Sequence, residues 1–204
     1  IHHFEDLLLE IDFASTKGNE YFPNVPIILY GQSMGGNIVL NYAIRRCCSV
    51  SGIISTSPWL MLSQPVSPNL DKVCSVLNYI VPCYPLKSRV SPSDLSHLEE
   101  EVKKYKNDPF IHNKITPRLY VSIRRAGRYV LKYAKRIKVP LLLMHGEADK
   151  ITAFESSKEI AKMVDGCTFV PWPNMYLELH NETVRGLVFE TIIKWLDSKF
   201  VNQK

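Results

Sequence analysis

The chain has 204 residues, 46% of them hydrophobic and 22% charged, with a net charge of +5. This is enough apolar sequence for one compact core with a modest insert, and it excludes a disordered chain. No stretch is long and apolar enough to form a membrane-spanning helix.

In chain order, Phe4, Leu7, Leu8, Ile11 and Ala14 recur at helical spacing, so the pattern predicts a helix over 3–16 packed on a sheet. Residues 17–25, with Gly18 and Pro23, read as a loop. The apolar run 26–30 reads as a central parallel strand ended by Gly31. A helix follows over 37–46, then a buried strand over 50–55 closed by Pro58. Residues 61–135 lose the strand–helix alternation and carry prolines between short helical patterns, of which 70–80 and 119–135 are the clearest. Alternation returns with a strand over 139–144, a helix over 153–164 and a short strand over 167–170. A final helix over 181–200 turns Val184, Leu187, Val188, Ile192 and Trp195 inward. Strands alternating with helices give an α/β layered fold with a parallel sheet. Its organisation is core over 1–60, a helical insertion over 61–137, and core again over 138–204. Four strands make a thin sheet with an open first edge, and the chain starts without methionine. Both lead us to expect further strands upstream.

The charge is unevenly spread, since residues 61–140 hold 15 Lys or Arg against 6 Asp or Glu. A basic segment of this kind is a solvated face or a surface that approaches anionic lipid head groups. No nucleic-acid-binding module accompanies it, so no nucleic-acid partner is expected. The cysteines are Cys47, Cys48, Cys74, Cys83 and Cys167, odd in number and without zinc spacing. They read as reduced thiols of a cytoplasmic protein, with a Cys74–Cys83 disulfide left open. The opening Ile1-His2-His3-Phe4 leads into a charged amphipathic segment, so no secretory signal is expected in these first residues.

Gly31-Gln32-Ser33-Met34-Gly35 follows a buried strand and opens a helix. A serine on such a turn is lifted from the sheet toward a helix N-terminus, where the Met34 N–H can face the oxygen of an attacked carbonyl. Small residues at Gly31 and Gly35 are expected because the backbone closes on itself there. The alternatives are a glycine-rich packing turn or a phosphate loop, and no Lys-Ser/Thr follows to support the latter.

A serine hydroxyl needs a base, and the base needs an orienting carboxylate. Asp149 lies just beyond the 141–144 strand, at the same sheet end as Ser33, and is the candidate acid; its alternative role is a helix cap. The base is expected after the last strand, where His180 is the one histidine. His145, at a strand end, is expected to pack or bond beneath the site.

These residues resemble the monoglyceride lipase and lysophospholipase group of α/β-hydrolases, also grouped with the serine aminopeptidases. The resemblance rests on Gly-Gln-Ser-Met-Gly-Gly at 31–36, His-Gly-Glu-Ala-Asp-Lys-Ile-Thr at 145–152 and Tyr-Leu-Glu-Leu-His-Asn-Glu at 176–182, and it runs over nearly the whole chain. It implies the α/β-hydrolase fold with a helical cap over an acyl-binding cleft. It also implies Ser33 as nucleophile, Asp149 as acid, Met34 as an oxyanion donor, and a lipid ester as substrate with no metal or organic cofactor. The family's third block usually begins Tyr-His-Glu-Leu, so the usual catalytic histidine falls at position 177, which here is Leu177. His180 matches a second histidine of many members; on a helix it would share a face with 177 but stand about one turn, ~5 Å, away.

The leading expectation is therefore a serine ester hydrolase, with Leu77, Ile80, Val81, Leu86 and Leu177 lining the substrate cleft and the basic cap contacting membranes peripherally. A catalytically impaired lipid- or protein-binding protein, and a peptidase or esterase of another substrate class, remain alternatives.

Overall fold

The protein is described here from a computed structural model covering residues 3–46, 50–88 and 90–201; Cys47 and Cys48 fall outside them. Helix α1 (Phe4–Tyr21) starts at a capping box, the Asp6 carboxylate accepting the His3 N–H at 2.8 Å. It continues past residue 16 to Tyr21. Thr16 Oγ1 bonds back to the Asp12 carbonyl at 2.8 Å, Lys17 pairs with Glu20, and Gly18 rests on Ile27. Strand β1 (Ile28–Gln32), helix α2 (Met34–Arg45) and strand β2 (Gly52–Thr56) follow. Next come α3 (Pro68–Ile80), β3 (Leu86–Lys87), α4 (Glu99–Asn107), β4 (Lys114–Ile115) and α5 (Pro117–Tyr133). The chain closes with β5 (Leu141–Gly146), α6 (Phe154–Met163), β6 (Thr168–Trp172) and α7 (Arg185–Leu196).

The main sheet is parallel, in the order β1-β2-β5-β6, and β3 and β4 form a separate antiparallel pair. Every residue of β2 and β5 is buried, as continuous apolar runs between two layers of helices require. Strand β1 lies at the edge of this sheet with Tyr30 half exposed, the open first edge expected from the sequence.

Helix α4 has no apolar stripe and so gave no periodic signal. Glu99, Glu100 and Glu101 at its start and Lys104 and Lys106 at its end suit the helix dipole instead. The insertion expected over 61–137 holds α3, α4, the β3–β4 pair and α5, and α5 packs on α3 as well as on the core. Helix α5 packs on the core, with Val130 in the main apolar cluster. Gly127 allows this approach, because a Cβ there would lie 2.2 Å from the Leu60 carbonyl oxygen. Two buried asparagines of α2 pin the helix further: Asn37 Nδ2 donates to the Ile123 carbonyl and Asn41 Nδ2 to that of Ala126, both at 3.1 Å. On α7, Val188 and Trp195 are buried but Leu187 is exposed, one position off the inward stripe.

Candidate functional site

Strand β1 feeds α2 through one residue, Ser33, with φ 52° and ψ −112°. This backbone is rare and costly for a residue with a side chain, of order 1–3 kcal/mol, and it persists only where its surroundings enforce it. Here they do. The Ser33 N–H donates to the Thr56 carbonyl at 2.9 Å, and the Ser33 carbonyl accepts from Asn37 N–H at 3.1 Å and Trp59 N–H at 2.8 Å. The hydroxyl makes no cap bond to its own helix. The helix begins at Met34, whose N–H is in the first turn, where no intrahelical acceptor exists.

The glycine requirement is partly as expected. A Cβ at Gly31 would meet the Gly35 carbonyl oxygen at 2.3 Å. Gly35 itself has open space around its Cβ position, and the second crowded glycine is Gly36, against Ser55 and Pro58.

Asp149 sits in the turn after β5 with its carboxylate fully enclosed. Oδ1 accepts the Ile151 and Thr152 N–H groups at 2.7 and 3.0 Å. Oδ2 accepts the Thr152 hydroxyl at 2.5 Å and lies 3.2 Å from His145 Nε2. His145 is completely buried, and its Nδ1 lies 2.7 Å from Ser157 Oγ. Ser157, His145 and Asp149 therefore line up with the residue types of a hydrolytic triad. Ser157 and His145 are sealed from solvent and so is the Asp149 side chain, so the row braces the acid and cannot meet a substrate. The bracing reaches the nucleophile turn. Ser57, with φ 42°, gives its N–H to the Met144 carbonyl at 2.8 Å, and the Ser57 carbonyl lies 3.3 Å from Thr152 Oγ1.

The segment after β6 runs against this turn. Ala148 N–H donates to the Met175 carbonyl at 3.0 Å, and the Tyr176 carbonyl presses on Gly146. Glu182, wholly buried, shapes the segment by accepting the Tyr176 N–H at 3.1 Å and pairing with His97 Nδ1 at 2.9 Å. Position 177 is thereby held beside the acid turn, and Leu177 is 5% exposed. His180 lies on a separate short turn, Leu179–Asn181, so the two positions do not share a helix face. Among the described residues no hydrogen bond joins His180 to Asp149, and the buried His180 Nδ1 has no partner.

Under the cap lies a cavity of about 590 Å³ lined by Trp59, Leu62, Val66, Leu70, Leu86 and Ile115, with Lys87, Asp94 and Lys150 at its wall. Leu86 is the one expected cap residue that reaches it. Helix α3 turns Leu70 and Cys74, four apart, toward the cavity, while Ile80 and Val81 face outward and Leu77 is not on the wall. Cys74, Cys83 and Cys167 are free thiols, so the Cys74–Cys83 bridge is absent.

A family model described as "Serine aminopeptidase, S33" matches residues 1–184. The chain belongs to this family. It is 29% identical over 185 residues to an uncharacterized abhydrolase domain-containing protein of Dictyostelium discoideum, a match covering 89% of this chain and 20% of that protein. It is 30% identical over 206 residues to the monoacylglycerol lipase of Mycolicibacterium smegmatis, covering 96% of this chain and 72% of the relative. The crystal structure of Paleococcus ferrophilus monoacylglycerol lipase superposes with a TM-score of 0.88 at 30% identity, over 97% of this chain and 77% of that one. The fold is that of an α/β-hydrolase with a central parallel sheet and a helical cap.

Within this S33 chain, sequence reasoning passed over Thr152, Ser57, Glu182 and Lys150. Thr152 carried a usable signal, since a hydroxyl three residues after an aspartate in a turn can close on its carboxylate. Ser57 carried none, because its partners Met144 and Thr152 lie far along the chain, and Glu182 closes the 176–182 block but pairs with His97 from a distant part of the chain.

Proposed function

We propose that the protein is a serine ester hydrolase of single-chain lipid esters, monoacylglycerols or lysophospholipids, working through an acyl-enzyme on Ser33. The observation that carries this reading is the enforced backbone of Ser33 at the strand-to-helix turn, with a hydroxyl not spent on capping. Ser33 Oγ attacks the acyl carbonyl, the developing oxyanion meets the Met34 N–H at the positive end of α2, and water later releases the fatty acid. Asp149 is the acid of the set. With Leu177 where the imidazole belongs, the serine proton leaves without a positioned base, so turnover is slow. Oxyanion stabilisation and binding alone leave about 10³–10⁴-fold over water in triad enzymes lacking a member.

A fluorophosphonate probe tests this. Labelling of the parent that disappears in Ser33→Ala supports the hydrolase. A parent that stays unlabelled while Leu177→His labels supports the second reading, a lipid-binding protein on a hydrolase fold, which Leu177 itself favours. We further propose a cytoplasmic protein that touches membranes peripherally through its cap. The basic surplus of 61–140 and the exposed Tyr79, Ile80 and Phe110 support it. No helix among the described residues is long and apolar enough to cross a membrane. Cosedimentation with anionic but not zwitterionic vesicles is the expected result, and equal binding to neither would refute it.

A further inference from the structure

The cavity under the cap is apolar along most of its wall but ends in charge. Trp59, whose N–H bonds the Ser33 carbonyl at 2.8 Å, places one side of it beside the nucleophile turn. Ile151 and Lys150, directly after Asp149, form the adjoining wall. Lys150 is not a loose surface lysine. Its Nζ lies 3.0 Å from the Tyr176 hydroxyl, 4.4 Å from the centre of that ring and 3.8 Å from Asp94 Oδ1. Two partners, Tyr176 and Asp94, restrain the ammonium of this half-exposed side chain near the cavity wall, so less rotamer freedom is lost when a ligand arrives. Lys87, exposed on β3 and paired in register with Lys114 of β4, also lines the cavity. The lining therefore holds two cations against the single carboxylate of Asp94. A neutral glycerol head leaves the exposed Lys87 ammonium to solvent. An anionic oxygen group would take charge-assisted hydrogen bonds from it.

We propose that this cavity selects a single-chain amphiphile with an anionic head, held by Lys150 and Lys87, over its neutral counterpart. The proposal rests on the reading of the cavity as the lipid site and narrows the substrate class of that site. Its chemistry is shared by two ligands: a lysophospholipid, which carries a phosphate next to the ester, and a fatty acid, which is a hydrolysis product.

The test is calorimetric titration of the full chain with three lauroyl ligands below their micellar concentrations: lauroyl-lysophosphatidate, laurate and monolauroylglycerol. The expected result is at least about tenfold tighter binding of an anionic ligand than of the glyceride, weakening as salt is raised. The Lys87→Gln/Lys150→Gln double variant is expected to lose about tenfold for the anionic ligand and less than about twofold for the glyceride. Leu70→Trp, which fills the cavity, is expected to weaken all three. Preference for the phosphate ligand alone assigns the lysophospholipid, and preference for laurate alone assigns product binding. Equal or tighter binding of the glyceride overturns the proposal, as does a double variant that weakens all ligands alike or a Leu70→Trp that weakens none. Because binding is read directly, this outcome is separate from that of fluorophosphonate labelling: a chain that never turns over can still show the preference.

Discussion

Replacing Leu177 with histidine perturbs both the stability and the chemistry of the site, and each has a calculable size. Leu177 is 5% exposed, so removing its side chain forfeits about 1.5–3 kcal/mol of apolar burial. The new ring recovers part of this by hydrogen bonding. A net loss near 2 kcal/mol lowers Tm by roughly 4–8 °C for a chain of this size. In chemistry the change runs the other way. Loss of the triad histidine costs about 10⁶ in kcat in serine proteases. The full factor is not expected back, because Asp149 Oδ2 already holds the Thr152 hydroxyl at 2.5 Å and must share it or exchange it for the new ring. A gain of about 10²–10⁴ in fluorophosphonate labelling rate is the working figure. The assay is pseudo-first-order labelling at fixed probe from pH 5 to 9. The variant should acquire an inflection near ~6.5, the rate rising with pH as imidazole loses its proton and becomes a base. The parent should show no such inflection. A folded variant, with Tm in the stated range, that labels no faster than the parent would refute the reading that a histidine at position 177, beside the acid turn, can serve Ser33 as its base.

Two further outcomes follow from packing and burial. Gly31→Ala puts a Cβ 2.3 Å from the Gly35 carbonyl oxygen and should cost more than about 3 kcal/mol in urea unfolding, whereas Gly35→Ala meets open space and should stay within about 1 kcal/mol. Burial pushes the Cys167 thiol up to about 12, so it stays protonated below that pH and should resist alkylation at pH 8 in the native protein, while exposed Cys83 reacts. Equal rates at the two thiols would count against this burial.

The layered α/β fold was legible because its strands are continuous apolar runs and its core helices have apolar stripes; β2, β5 and α2 needed nothing more. Helix α4 was invisible because charge patterning rather than burial supports it. The seat of helix α5 on the core was not legible, because it depends on Gly127 meeting Leu60, a contact between residues far apart in sequence. The nucleophile turn was legible from Gly31 and Ser33, yet the second crowded glycine is Gly36, whose neighbour Pro58 no local pattern indicates. The place of Asp149 in the turn after β5 was legible by position. Its enclosure by Thr152 and His145 was half legible, and the role of Glu182 in setting position 177 was not legible at all.

That enclosure changes what the presence of Asp149 means. A carboxylate kept in a site without its histidine invites the inference that the site still works. Here the carboxylate has other employment, accepting two backbone N–H groups and a buried hydroxyl within one turn and facing a buried imidazole. Asp149→Asn keeps one acceptor oxygen but turns an NH₂ toward the Thr152 hydroxyl and His145. It should therefore cost about 1–3 kcal/mol. Ser33→Ala, which removes a hydroxyl that makes no cap bond, should change stability by less than about 0.5 kcal/mol. Urea unfolding of the two variants separates the cases. A costly Asp149→Asn beside a neutral Ser33→Ala means the acid is retained by folding, and only the serine's presence bears on catalysis. An Asp149→Asn as mild as Ser33→Ala would remove the structural explanation and leave chemistry as the reason both residues are there.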